Sequence, residues 1–133
     1  MTPCPCHSNL SFESCCGPIL KGTPAPTAEA LMRSRYSAYA LKDADYLHRT
    51  THSSTRKAHP VKEIEKWAKR TNWLKLEILR TEKGSNEDTT GVVEFKAYFT
   101  EKDHRIQVLH EVSAFVKEEG EWYYVNGELG MGR

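Results

Sequence analysis

Leu109 to Gly127 reads LHEVSAFVKEEGEWYYVNG, and this stretch decides the fold. Alternate residues of a strand point the same way, so Leu109, Glu111, Ser113 and Phe115 share one face. Glu119-Gly120 supplies turn residues between that run and a second, aromatic one. The pattern predicts a long strand over 105–117, a tight reversal, and a last strand over 122–126. Upstream, residues 90–100 alternate Val93, Phe95, Ala97 and Phe99 with Val92, Glu94, Lys96 and Tyr98. Residues 73–81 alternate Trp73, Lys75, Glu77 and Leu79 with the more apolar set Leu74, Leu76, Ile78 and Arg80. Consecutive runs of period two predict an antiparallel sheet of four strands.

Before residue 72 the period is that of a helix. Thr27 is placed to cap a helix to about Lys42, with Ala28, Leu31, Met32, Tyr36 and Tyr39 on its apolar stripe. Arg35 falls near the middle of that stripe, where a guanidinium needs a carboxylate or several carbonyls. Arg33 lies to the side and is expected to be more exposed. Asp43 or Asp45 starts a second short helix through Tyr46, Leu47 and His48. His59-Pro60 opens a third, whose apolar face is Val61, Ile64, Trp67 and Ala68. Helices gathered on one face of a curved four-stranded antiparallel sheet make an α+β domain.

Cys4, Cys6, Cys15 and Cys16 are the only cysteines of the 133 residues. Their spacing, C-x-C-x8-C-C, suits four thiolates around one soft divalent ion, and zinc is the expected cofactor. A closed tetrathiolate site is structural, so no hydrolytic zinc chemistry is expected. His7 as fourth ligand, a redox pair and packed inert thiols are the alternatives. No secretory signal pattern precedes the cysteines and no apolar run is long enough to span a bilayer, so the expectation is a reduced, cytoplasmic protein with no membrane partner. Lys and Arg number 19 against 18 Asp and Glu. That balance gives no general attraction to phosphate, and residues 1–26 hold a single basic side chain, Lys21, so nucleic acid is not an expected partner. The basic residues between Arg56 and Arg70 are interleaved with Glu63 and Glu65, which suits a solvated helix face. Gly22-Thr23-Pro24-Ala25-Pro26 is breaker-rich and divides the chain into a cysteine module (1–17), a linker (18–26) and the α+β domain (27–133).

The segment CPCHSNLSFESCCGP, residues 4–18, resembles the SEC-C motif, a small zinc knuckle. Relatives of that motif usually read C-P-C-G-S-G, whereas this chain has His7-Ser8-Asn9 in the turn. LMRSRYSAYALKDADYLHRTTH (31–52), VVEFKAYF (92–99) and the opening stretch resemble the YchJ-like family. That resemblance implies a nuclear-transport-factor-2-like domain: a cone of helices on a curved sheet with a pocket between them.

The implied pocket collects seven candidates: Arg35, Tyr36, His52, Trp73, Glu94, Tyr98 and Glu111. Glu111 is the expected partner of Arg35, with Glu94 second, and the pair is expected to tie helix to sheet. No catalytic residue is assigned. The leading expectation is a zinc-binding protein whose knuckle docks a protein partner, attached to a domain that binds a ligand or serves as scaffold. The alternative is an enzyme or small-molecule carrier working in the pocket around Arg35 and Glu111.

Overall fold

Thr27 starts the first long helix: its hydroxyl accepts from the Ala30 amide at 3.0 Å, satisfying a donor that the helix cannot. The computed structural model describes residues 2–129. In chain order its helices are α1 (Cys16–Leu20), α2 (Ala28–Leu41), α3 (Ala44–Arg49) and α4 (Val61–Arg70), with short 3-10 turns at Phe12–Ser14 and Arg56–Ala58. The strands are β1 (Asn72–Lys83), β2 (Thr90–Thr100), β3 (Gln107–Glu118) and β4 (Glu121–Leu129). The sequence reading has no counterpart to α1, which begins at Cys16 and carries Pro18 in its first turn, where a missing amide is harmless. Lys42 ends α2 in a left-handed conformation, and the Asp43 carboxylate then accepts from the Tyr46 amide at 3.1 Å to open α3.

The sheet is an antiparallel meander in the order β1-β2-β3-β4. This corrects the curved, cone-shaped sheet expected from the sequence. Each strand pairs only with its neighbours in the chain, so β1 and β4 remain separate edges and the sheet stays open. The segment after α3 lies along the β4 edge: the His52 amide donates to Tyr124 O at 2.7 Å, and the Tyr124 amide donates to Thr50 O at 2.9 Å. That contact uses backbone groups an edge strand would otherwise expose.

Val93, Phe95, Ala97 and Phe99 of β2 are buried, and the intervening residues are half-exposed. Their register partners Ser113, Glu111, Leu109 and Gln107 extend the same face onto β3. In β1 the simple alternation fails. Register shifts between Trp73 and Lys75, and between Ile78 and Arg80, insert Leu74 and Leu79 as extra residues. Trp73 consequently joins Leu76 and Ile78 on the inner face, opposite Phe99, Ala97 and Phe95, while Arg80 turns outward beside Glu94. Leu74 and Leu79 are left exposed. The helices α2 and α4 cover the inner face, and one buried core joins them to Cys4, Cys6 and Cys16 of the N-terminal segment.

Candidate metal centre and interior cleft

The N-terminal residues form a miniature hairpin. Phe12 N donates to Thr2 O at 2.8 Å, and Cys4 N donates to Leu10 O at 3.0 Å. At its tip, His7 and Asn9 have φ of 63° and 71°. These are the two positions where the resembled motif carries glycine, and the left-handed region costs a residue with a Cβ up to about 1–2 kcal/mol. Asn9 tolerates it better than most side chains do. We expect Asn9→Gly to leave the fold intact and to raise the unfolding midpoint in denaturant by an amount worth about 0.5 kcal/mol or less, since glycine also gains freedom in the unfolded chain. His7→Gly should gain more, up to about 1 kcal/mol, because His is less at home in that region.

The hairpin brings Cys4 and Cys6 against Cys15 and Cys16, where the 3-10 turn runs into α1. All four Sγ atoms lie within 4.8 Å of one another, with Cys6–Cys15 at 3.6 Å and Cys15–Cys16 at 3.9 Å. Around zinc with bonds of about 2.3 Å, a tetrahedron of sulfurs has edges of about 3.8 Å. The four thiols are free, and three are buried. Number, softness and spacing of the donors therefore fit a tetrahedral metal ion held without an open position. The Cys16 thiol, followed by Ser8 and the other cysteines, donates toward Cys6 and pulls its thiol down to about 4; the same bond pushes Cys16 up, and burial raises Cys15. Crowded sulfurs cannot all shed their protons without a cation to offset the charge. A divalent ion replaces those protons.

A second ring of residues holds the site onto α2. Ser37 Oγ lies 3.7 Å from Cys4 Sγ, and Ser8 Oγ lies 3.2 Å from Cys15 Sγ. Arg33 Nη1 donates to Cys6 O at 3.0 Å and comes within 4.0 Å of Cys6 Sγ, while its Nε pairs with Glu29. Such outer contacts orient the ligands and offset their charge. The sequence reading places Arg33 to the side; its role depends on the hairpin folding back over α2.

Behind this site, between α2, α4 and the sheet, lies a cleft of about 330 Å³, partly open to solvent. Tyr39, Trp67 and Trp73 wall it with ring centroids 5.2–5.4 Å apart; Trp67 meets the other two edge to face, and Tyr39 and Trp73 are tilted. Arg35, Tyr36, Trp73 and Glu111 of the seven expected residues line it. His52, Glu94 and Tyr98 do not. His52 lies outside, its Nε2 bonded to Glu118 at 2.9 Å. Glu94 and Tyr98 occupy even positions of β2 and so face outward. Glu94 receives Arg80 Nε and His110 Nε2, both at 2.6 Å, and the His110 bond is the first cause holding its carboxyl below the usual range. Tyr98 donates to Glu77 at 2.7 Å.

Arg35 is 6% exposed, and its environment corrects the expected ion pair. Its Nη1 donates to Leu47 O at 2.9 Å, to Thr50 Oγ1 at 2.7 Å and, at 3.4 Å, to Thr51 Oγ1. The guanidinium thus caps the C-terminal end of α3, where carbonyls lack helical partners. It also lies over the Tyr124 ring, 4.4 Å from the centroid. Among the described residues, no carboxylate pairs with it. Glu111 is turned elsewhere: it accepts from Ser113 Oγ at 2.8 Å and from Tyr124 Oη at 3.5 Å. Its carboxylate occupies the space beside Gly127, where any Cβ would collide with it. Tyr124 stands between the two charges, its ring under Arg35 and its hydroxyl on Glu111.

Tyr39, His59, Glu63 and Tyr124 line the cleft without having been singled out for it. Tyr124 had a legible signal: a two-residue turn at Glu119-Gly120 pairs it with Phe115 and so places it on the inner face. Glu63 sits one helical turn before Trp67 and shares its side of α4. The signal for His59 was weaker, because an irregular loop sets its direction.

The family model described as "YchJ, middle NTF2-like domain" matches residues 27–127. The chain belongs to the YchJ family. Among curated relatives, a "UPF0225 protein" of Chromobacterium violaceum is 46% identical over 93% of this chain and 90% of its own length. One from Streptomyces coelicolor is also 46% identical, over 96% of this chain and 95% of its own. The solution structure of a SEC-C motif containing protein from Rhodopseudomonas palustris superposes with a TM-score of 0.89 at 38% identity, covering 97% of this chain and 99% of that one. A crystal structure of a SEC-C motif containing protein from Psychrobacter arcticus gives 0.82 at 33% identity, covering all of this chain and 85% of that one. Among the described residues of this YchJ-family chain, no helix is long and apolar enough to cross a membrane.

Proposed function

We propose that this YchJ-family chain is a zinc-braced binding protein whose interior cleft receives a small molecule, acting in the reducing cytoplasm where four thiols stay available to metal. The observation that carries the reading is the cleft itself: about 330 Å³ of space walled by aromatic rings, with a buried arginine that uses only one of its nitrogens on the described residues. Ligand sites are typically of about this size, 300–1,000 Å³, mostly apolar with a few placed polar groups. In this reading the zinc knuckle is a brace. A protein partner on the knuckle, expected from the resemblance, has less support. Leu10 is its one large exposed apolar side chain among the described residues, whereas docking surfaces concentrate their energy in several buried anchors.

The three tryptophans make the reading testable, because Trp67 and Trp73 line the cleft and Trp122 does not. We expect members of a mixed small-molecule fragment set to shift the indole N–H resonances of Trp67 and Trp73 in zinc-loaded protein while leaving Trp122 in place. A set of a few hundred fragments that moves none of these signals, or moves Trp122 equally, overturns the reading.

A further inference from the structure

We infer that the cleft is built for a small organic acid that also carries a hydrogen-bond donor: an α-hydroxy or α-amino acid with an apolar, ring-sized body. The inference rests on the proposed binding role and adds the chemistry of the ligand. Its starting point is Arg35. A buried guanidinium stays charged and has five N–H donors in a fixed fork. The protein bonds described above all run to Nη1, which leaves Nε–H and the Nη2 amino group without an acceptor among the described residues. The partners it has are a carbonyl, two hydroxyls and a ring, all neutral. A buried cation with no counter-ion is costly, and the Nε/Nη2 edge is the geometry that takes a carboxylate by two parallel bonds.

Two further donors stand unused on residues of the same cleft. The Tyr36 hydroxyl and the Trp73 indole N–H are buried and meet no acceptor among the described residues. Folded proteins leave few such groups unpaired, so unmatched donors beside an unmatched cation favour a ligand rich in acceptor oxygens.

Glu111 supplies the complement. It enters from the sheet side, while Arg35 enters from α2, and no ion pair joins them. The collision that a Cβ at Gly127 would cause shows that the chain leaves room for the carboxylate in its present position. A ligand lying between the two needs an anionic group for Arg35 and a donor, hydroxyl or ammonium, for Glu111. Tyr39, Trp67 and Trp73 then offer an apolar wall for its body. The volume accommodates one ring and a short chain.

The test uses matched probes on the zinc-loaded full chain, with the Trp67 and Trp73 indole resonances as readout and Trp122 as internal reference. The probes are 3-phenyllactate, L-phenylalanine, 3-phenylpropionate (acid, no donor) and 3-phenylpropane-1,2-diol (donor, no acid). We expect 3-phenyllactate or phenylalanine to bind at least tenfold more tightly than the diol and severalfold more tightly than 3-phenylpropionate. Which of the first two binds better tells a hydroxyl from an ammonium at Glu111. Arg35→Gln should abolish the preference for acid over diol. If that variant fails to fold, Glu111→Leu, which leaves no acceptor at that position, provides the second arm: it should erase the advantage over 3-phenylpropionate and keep the preference for acid over diol. A diol that binds as well as the acids overturns the inference, as does neutral-fragment binding with no response to any of the acids; the cleft then remains a binding site of different chemistry. Silence of Trp67 and Trp73 toward every acid and every fragment overturns both.

Discussion

Replacing Cys16 by serine, or stripping the purified protein with a strong chelator, removes one equivalent of zinc and lowers the melting temperature by about 10 °C or more. The expectation follows from where the cysteines sit. Cys4, Cys6 and Cys16 are 5%, 0% and 1% exposed and belong to the same core as Leu31 and Tyr36 of α2. The hairpin that carries Cys4 and Cys6 is held together by few backbone bonds, and isolated hairpins are marginal in water. A metal bound only by the folded state adds its binding free energy to folding, roughly 10–16 kcal/mol in small zinc domains. Most of that energy would go to ordering the hairpin here. A net loss of about 3 kcal/mol, at about 3–5 °C per kcal/mol for a chain of this size, gives the stated shift. Acid should act in the same direction, because protons compete with the metal for thiolate sulfur. Metal analysis beside a thermal melt of wild-type, chelated and Cys16→Ser protein checks the claim. Equal melting temperatures with and without metal would refute it.

Arg35→Met costs about 2–4 kcal/mol, whereas Glu111→Gln costs less than about 1 kcal/mol. A buried ion pair would behave otherwise, since losing either partner strands the other charge at a cost of about 3–5 kcal/mol. In this fold Arg35 answers to the end of α3. Methionine keeps much of the volume but leaves Leu47 O, Thr50 and Thr51 without their charged donor, and bonds from a charged donor are worth about 1.5–3 kcal/mol. The stacked Tyr124 ring is expected to add up to about 2 kcal/mol in a desolvated setting. Glutamine at 111 still accepts from Ser113 and Tyr124 with its amide oxygen. Unfolding both variants in urea reads the two losses side by side. A cost at Glu111 equal to that at Arg35 would restore the ion pair.

Much of the fold was legible because the local pattern and the burial agree. The caps at Thr27 and Asp43, the 3.6-residue stripe of α2 and the strict alternation of β2 each needed only a few neighbouring residues to read. The same alternation, followed through, already turns Glu94 and Tyr98 away from Phe95. The reading of β1 failed for a different reason: two bulges flip the faces at Leu74 and Leu79, and no composition cue marks where an extra residue enters a ladder. Of the candidate site, the four cysteines were legible from spacing alone. Arg33, Tyr124 and Gly127 owe their roles to contacts with residues 13 to 27 positions away in the chain.

The sequence by itself determined the family, the order of α2 to α4 and the four strands, and the four cysteines that could hold a metal, because each is written in residues close along the chain. It also marked Arg35 as a charge that had to be buried and answered. Only the tertiary structure decided what answers it, because hydrogen-bond partners depend on angles and distances between elements rather than on spacing. The end of α3 took the place expected of Glu111, and that left one edge of the guanidinium without an acceptor among the described residues, on a side chain that lines an aromatic cleft. The openness of the sheet was likewise decided in three dimensions. Pairing between β1 and β4 would require their edges to meet, and nothing in the alternation of a strand says whether they do.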